Sequence, residues 1–223
     1  HTPYRTPDEY GNPFAGDPAP AWLTEEMLAA HRASYGTHSA REPREIPPSP
    51  SKFPRDVYEI ATLADFRHMI DGYDVGIRYA DDHVGRILNA LADEGVLDDT
   101  IIMMSSDHGE NQGELNVYGD HATADHITNR VPLIVRDPRL PREKAGKTND
   151  ELVLNVDLAP TILGAAGIKA PAGMQGVDFG PLYLAATKPA WRTEYFAEHA
   201  TIRNVKFIPA SEALVRKEWK YFY

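Results

Sequence analysis

The sequence predicts an α/β fold: part of a mostly parallel sheet flanked by helices, with a small antiparallel C-terminal unit. Three observations predict it. A long segment with apolar residues at spacings of three and four precedes the short apolar run Ile101 to Met104, and a second such run, Val131 to Val135, follows a polar loop. Continuous apolar runs of this length mark strands covered on both faces, as in parallel sheets between helices. From Thr193 onward the chain carries short β-rich runs set close together, which read as antiparallel. Residues 1–190 are therefore assigned to the main α/β domain and residues 191–223 to the small β-rich unit.

Taken in order, residues 1–22 hold Pro3, Pro7, Pro13, Pro18 and Pro20, the composition of an irregular loop. Thr24 followed by Glu25 and Glu26 is a helix start, with a capping hydroxyl and acids in the first turn, and that helix runs to about Tyr35. Five prolines between Arg41 and Arg55 make an ordered surface loop or a lid. Asp56 to Glu94 is helical, with Val57, Ile60, Leu63, Tyr73, Ile77, Val84, Ile87, Leu88 and Leu91 on one face. Gly72 and Gly76 are expected to interrupt or kink it, since each costs ~1 kcal/mol relative to Ala. Gly95 closes it. The strand Thr100 to Ser105 and the strand beginning at Val131 form the buried sheet. Asp157 is expected to cap a helix reaching about Ala166, with Gly167 ending it, and residues 169–190 to be loop. The tail reads as strands at Thr193 to His199, Ile202 to Ile208, Ala213 to Arg216 and Trp219 to Tyr223.

Composition narrows the function. The 223 residues carry a formal charge of -10, which argues against nucleic acid as the main partner because phosphate backbones are bound by Lys and Arg. No apolar run approaches the ~20 residues of a membrane span. No cysteine is present, which removes disulfides and thiolate metal sites. The opening His-Thr-Pro-Tyr-Arg has neither a starting Met nor a signal peptide, and the closing Glu218-Trp-Lys-Tyr-Phe-Tyr223 resembles the middle of an aromatic strand. The chain thus reads as a fragment whose localisation the sequence leaves open.

The chemistry concentrates after the first apolar run. Asp107 and His108 stand where the chain leaves the strand, and such carboxyl edges of α/β sheets are where ligands bind. Gly109 is expected to permit the turn by accepting positive φ. His121 and His126, interleaved with Asp120 and Asp125, lie in the loop before the second strand. Three imidazoles and three aspartates in this window suit a metal, an anion or both, whereas Asp125 and His126 fit a supporting role better. Ca²⁺ takes roughly 6–8 ligands. Asp107 and His108 offer at most two carboxylate oxygens and one ring nitrogen, which is at most half of that shell.

Asp81-Asp-His-Val-Gly-Arg-Ile-Leu88, Leu97-Asp-Asp-Thr-Ile-Ile102, Ser105-Ser-Asp-His-Gly-Glu110, Arg130-Val-Pro-Leu-Ile-Val135 and Val156-Asp-Leu-Ala-Pro-Thr-Ile-Leu163 resemble, in collinear order, the sulfatase family of the alkaline-phosphatase-like superfamily. Met174-Gln-Gly-Val and Val215-Arg-Lys-Glu-Trp-Lys-Tyr continue the match. The resemblance implies a sulfuric ester hydrolase acting on a sulfated carbohydrate or aryl sulfate. It implies that Asp107 and His108 are metal ligands, with His108 standing where many members carry Asn. It also implies that His1 contacts the sulfate and protonates the leaving oxygen. His121 stands where many members carry a sulfate-binding lysine. The expected cation is Ca2+, although the ring nitrogen leaves Mg2+, Mn2+ or Zn2+ open. The family's nucleophile, a formylglycine made from Cys or Ser, has no counterpart here: Ser49-Pro-Ser-Lys52 lies downstream of His1, on the wrong side. The nucleophile and the first acidic pair are therefore expected before His1, and the isolated chain is expected to be inactive. The alternatives are a phosphomonoesterase or phosphonate monoester hydrolase of the same superfamily, and a noncatalytic subunit that binds sulfated glycans. Arg5, His31 and His38 are conceivable glycan contacts, but each reads more simply as a solvated loop or helix residue.

Overall fold

A computed structural model describes residues 4, 6–42, 59–121, 123–200 and 210–223. In chain order its main elements are helices α1 (Glu25–Ala33) and α2 (Leu63–Asp93) and strands β1 (Ile102–Ser105), β2 (Asn111–Gln112) and β3 (Tyr118–Asp120). Helix α3 (His126–Asn129), strand β4 (Leu133–Arg136) and helices α4 (Leu158–Ala165) and α5 (Gly180–Leu184) follow, then strands β5 (Glu194–His199), β6 (Ser211–Arg216) and β7 (Lys220–Phe222). They form two compact units. The first holds His1–Leu97, His108–Arg130 and Ala200–Ala210, and the second holds Asp98–Asp107, Val131–His199 and Ser211–Tyr223.

In the first unit Thr24 caps α1 as expected, its hydroxyl accepting the Met27 N–H at 3.2 Å. Helix α2 begins at a reciprocal cap: Thr62 accepts the Asp65 N–H, and the Asp65 carboxylate accepts the Thr62 N–H at 2.8 Å. The helix then runs unbroken for 31 residues, so Gly72 and Gly76 do not interrupt it. Burial outweighs their propensity cost, because Phe66, Met69, Gly72 and Val75 share the face that enters the core. Gly95 follows the helix at φ +70°, a conformation that favours glycine. The core gathers Tyr4, Leu23, Leu28, Ala40, Ile60, Phe66, Met69 and Tyr118. Beyond Val75 the apolar stripe of α2 leaves this core, and Ile77 and Ile87 are 55% and 61% exposed. The proline-rich expectation for Arg41 to Arg55 falls, beyond Glu42, outside the described residues.

In the second unit β1 and β4 pair antiparallel, with Ser105 opposite Leu133 and Ile102 opposite Arg136. This corrects the expectation of a parallel neighbour. A parallel partner needs a crossover that returns the chain to the strand's starting end. The described residues between 106 and 132 form the short β2–β3 pair, a 3-10 turn at Glu114–Asn116 and a four-residue helix, so the chain re-enters from the end it left. Nor is β4 covered on both faces: Leu133 and Val135 are half-buried while Ile134 is 61% exposed. The C-terminal strands form the expected antiparallel sheet, in the order β5-β6-β7. The expected strand from Ile202 lies outside the described residues. No described helix is long and apolar enough to cross a membrane.

Asp157 departs from its expected role. Its side chain does not cap α4; it is fully buried and accepts the N–H groups of Leu154 and Val177, each at 2.8 Å. It also pairs with both terminal nitrogens of Arg192. Burial opposes its ionisation, but the guanidinium and the two N–H groups outweigh that and hold the carboxyl below its ordinary range. The stretch expected to be loop contains α5, whose first residue donates its N–H to Asp178 Oδ1 at 2.7 Å.

Asp157→Ala is predicted to destabilise the chain by about 3–5 kcal/mol, because it strands Arg192 with most of its surface buried. Urea denaturation measures this, and a loss under about 1 kcal/mol would contradict it. Asp137 gives a pH signature. Hydrogen bonds from Arg139 first, and from Tyr183, outweigh burial and bring its carboxyl down to about 2. A folded-state value below the unfolded one means this stabilisation is complete above about pH 4 and is lost as pH falls toward 2. Asp137→Asn should flatten the stability-versus-pH curve in that window.

Candidate functional site

The peptide bond between Asp107 and His108 joins the two units, so each residue is held by its own surroundings. Asp107 is exposed just beyond β1. Asn155, ahead of α4, donates its amide to the carbonyls of Ser106 (3.1 Å) and Asp107 (2.7 Å), which fixes the backbone that carries the carboxylate. The Ser106 hydroxyl lies 3.3 Å from Asp107 Oδ1.

His108 opens the first unit's segment. Its Nδ1 is 2.7 Å from the Gly109 carbonyl. A carbonyl only accepts, so Nδ1 carries a proton. A histidine that ligates a metal through one nitrogen is commonly oriented this way through the other. Gly109 is required for closeness rather than for positive φ, which it does not adopt. Its N–H donates to Thr128 O at 2.7 Å, and a Cβ there would overlap the Ile127 carbonyl.

The β2–β3 pair, which sequence patterning missed, delivers the remaining groups. Its two strands are joined by Gly113, at φ +119° against the Tyr118 ring, and by Leu115 and Asn116, which also adopt left-handed φ. Such backbone leaves no apolar periodicity to read. His121 leaves the end of β3 with its ring stacked on His108, centroids 3.5 Å apart and planes 20° from parallel. Asp120 anchors it: Oδ1 accepts the His121 N–H at 2.7 Å, while Oδ2 lies 2.9 Å from His38 Nε2. Burial opposes ionisation of Asp120, yet His38 and the His121 N–H outweigh it and lower its pKa.

Asp125 is structural, as expected. It caps α3 by accepting Ile127 N–H at 2.6 Å and Thr128 N–H at 3.3 Å, and it takes bonds from Thr123 and Asn111. His126 is exposed on α3. His31 and His38 are not solvated residues: His31 Nδ1 is 2.8 Å from the Tyr118 hydroxyl, and burial lowers its pKa. Tyr4 and Glu110 form a further polar pair beside β2. The buried phenol donates to Glu110 Oε1 at 2.9 Å and accepts from Gln112 Nε2 at 2.8 Å. Burial, then Glu110, raises the Tyr4 pKa. Glu110 was legible as the end of the Asp-His-Gly-Glu run, whereas nothing in the sequence marked Tyr4.

His1 and Arg5 lie outside the described residues. Of the four expected site residues, the structure brings His108 and His121 together and places Asp107 in the other unit. Among the described residues no group of three His, Asp or Glu side chains is arranged to hold a metal ion. The donors present, one carboxylate and one oriented imidazole, fit part of a divalent shell. A cavity of about 320 Å³ in the second unit, lined by Arg139, Thr161, Asp178 and Leu184, is a poor candidate for this chemistry. It contains no histidine, and Arg139 is committed to Asp137.

The sulfatase family model matches residues 1–168. An N-acetylglucosamine-6-O-sulfatase of Bacteroides thetaiotaomicron is 35% identical over 148 residues, covering 62% of this chain and 26% of that protein. A multifunctional alkaline phosphatase superfamily protein, PehA of Trinickia caryophylli, is 35% identical over 142 residues, covering 62% of this chain and 27% of that protein. Among solved structures, a protein in complex with its substrate D-glucosamine-2-N,6-O-disulfate superposes with a TM-score of 0.65 at 28% identity, covering 72% of this chain and 32% of that one. The match to each of these relatives thus spans about a quarter to a third of its length.

Gly109→Ala is predicted to cost about 1–3 kcal/mol or more, since the overlapping Ile127 carbonyl is backbone and cannot rotate away. Thermal unfolding checks the loss. A neutral substitution would show that the approach of residues 108–110 to α3 is looser than described.

Proposed function

The chain belongs to the sulfatase family, and from that premise we propose that it supplies part of the metal and sulfate site of a sulfuric ester hydrolase. The observation that supports this reading is the His108–His121 stack, in which His108, its Nδ1 turned to the Gly109 carbonyl, lies against a second imidazole. In this reading Asp107 and His108 Nε2 hold a divalent cation, calcium by family resemblance, which would supply Lewis-acid stabilisation of the sulfate oxygens when bound. His121 donates a hydrogen bond to a sulfate oxygen, and Asp120 holds its backbone in place. His1 gives a proton to the leaving alcohol oxygen as the ester bond to that oxygen breaks. A histidine at position 121 differs from the lysine common there in being planar and positioned by stacking rather than by a flexible stem.

We place the nucleophile and the remaining ligands on polypeptide outside these 223 residues. Two side chains cannot complete a shell, and the match covers only about a quarter of its relatives. The exposed stripe through Ile77 and Ile87 is apolar enough to take such further chain as its cover. For substrate, the names of the matched relatives make a sulfated glucosamine the first compound to test. The likeness to a multifunctional phosphatase-superfamily protein favours a second reading, cleavage of a phosphate or phosphonate monoester in the same tetrahedral pocket.

The chain alone is expected to give no turnover of 4-nitrophenyl sulfate, with or without calcium, whereas the complete natural polypeptide turns it over and loses activity in a chelator. In the complete protein, Asp107→Asn and His108→Ala should each lower kcat/KM by about 100-fold or more. Turnover by the 223 residues alone would end the partial-site reading. A preference for 4-nitrophenyl phosphate over the sulfate would favour the second reading.

A further inference from the structure

We propose that His38 is a positioning residue for His121, acting through the carboxylate of Asp120. This inference rests on the assignment of His121 to the substrate pocket and adds a residue to that site from a distant part of the chain. Asp120 spans the two histidines, one oxygen on His38 Nε2 at 2.9 Å and the other on the His121 N–H at 2.7 Å. The side chains of His38 and Asp120 are only 19% and 20% exposed, so solvent offers little replacement if either partner is removed.

The backbone of His38 is held for this purpose at some conformational expense. Its φ is +60°, a left-handed value that is uncommon for a residue with a Cβ. Three contacts keep it there. Its carbonyl accepts the Tyr118 N–H at 2.8 Å, its N–H meets the Glu42 carboxylate, and its Nδ1 lies 3.6 Å from Glu42 Oε2. Non-glycine residues in this region persist where surrounding contacts over-determine them, and such places concentrate at functional sites.

From Asp120 the constraint passes directly to the pocket. Asp120 pairs with Asn111 across the β2–β3 ladder, and Asn111, fully buried, donates to Thr123 Oγ1 and Asp125 Oδ2, both at 3.2 Å. The turn bearing His121 is thus pinned on its far side by Asn111 and on its near side by Asp120. The His121 side chain is itself 43% exposed, so its orientation depends on that backbone and on the stack with His108. Without the His38 imidazole, the Asp120 carboxylate loses the partner that fixes its rotamer, and the His121 N–H loses a fixed acceptor. A reacting group displaced by about 1 Å can cost on the order of 100-fold in rate.

A double-mutant cycle in the complete natural polypeptide tests this, read as kcat and KM for 4-nitrophenyl sulfate. His38→Ala should lower kcat/KM by about 30-fold, mostly in kcat, and His38→Gln, which returns an N–H donor toward Asp120, should recover most of it. In a His121→Ala background, His38→Ala should cost less than about twofold further. Full, additive penalties in the double variant would overturn the proposal, as would a His38→Ala enzyme with unchanged kcat/KM. If His121→Ala itself is silent, the assignment of His121 to the pocket has failed and the inference falls with it. Should His38→Ala not fold, Asp120→Asn carries the cycle instead. It retains an acceptor for the His121 N–H but changes the bond to His38, and it must also be non-additive with His121→Ala.

Discussion

Tyr118 lies buried between Phe66 of α2 and His31 of α1, its ring edge-on to both and its hydroxyl 2.8 Å from His31 Nδ1. Its N–H donates to the His38 carbonyl, and two residues further on the strand ends at Asp120. This one aromatic therefore ties three distant segments to the strand that precedes His121. The ring supplies the apolar burial that a three-residue strand lacks, and the hydroxyl meets its hydrogen-bonding need inside the core. The groups around His121 inherit their positions from this anchor: His38 through its carbonyl, Asp120 through the strand, and His121 through Asp120.

The same anchor explains how the irregular backbone around His121 is held without looseness. Residues 113–126 contain glycine and non-glycine residues at left-handed φ, a single turn of helix and loop, none of which has the cooperativity of a long helix. Rigidity comes from polar atoms instead. Asp125 collects donors from Asn111, Thr123, Ile127 and Thr128, and Gly109 brings its N–H against Thr128. Hydrogen bonds of this kind fix direction as well as distance, which is what a stacked pair of imidazoles requires.

The proposed metal and sulfate would each depend on such an arrangement. A hard cation needs several oxygen donors converging on one point, and a sulfate oxygen needs donors aimed at where its charge develops. The chain offers a carboxylate at Asp107, the His108 imidazole with Nδ1 turned to the Gly109 carbonyl, and the His121 imidazole stacked on it. It also presents apolar surface along α2 and on β4 that its own described residues leave open. That open apolar surface is consistent with a chain that matches about a quarter of its relatives' length.

The order of side chains along the chain by itself determined the family, through collinear motifs, and the elements with strong local signals. The capped start of α1, the long amphipathic α2 with Gly95 behind it, and the antiparallel tail were all legible. They depend on neighbours three or four residues away in a helix or alternating in a strand. The Asp107-His108 pair stands out in the sequence as an acid and an imidazole at the end of an apolar run. Only the tertiary structure decided the antiparallel pairing of β1 with β4, the closeness that requires Gly109, and the burial of Asp157 against Arg192. It alone brought His38 to Asp120 and stacked His121 on His108. Each of these joins residues with no periodic relation in the chain, so contact in space had to select them, and a one-dimensional pattern holds no record of which distant groups meet.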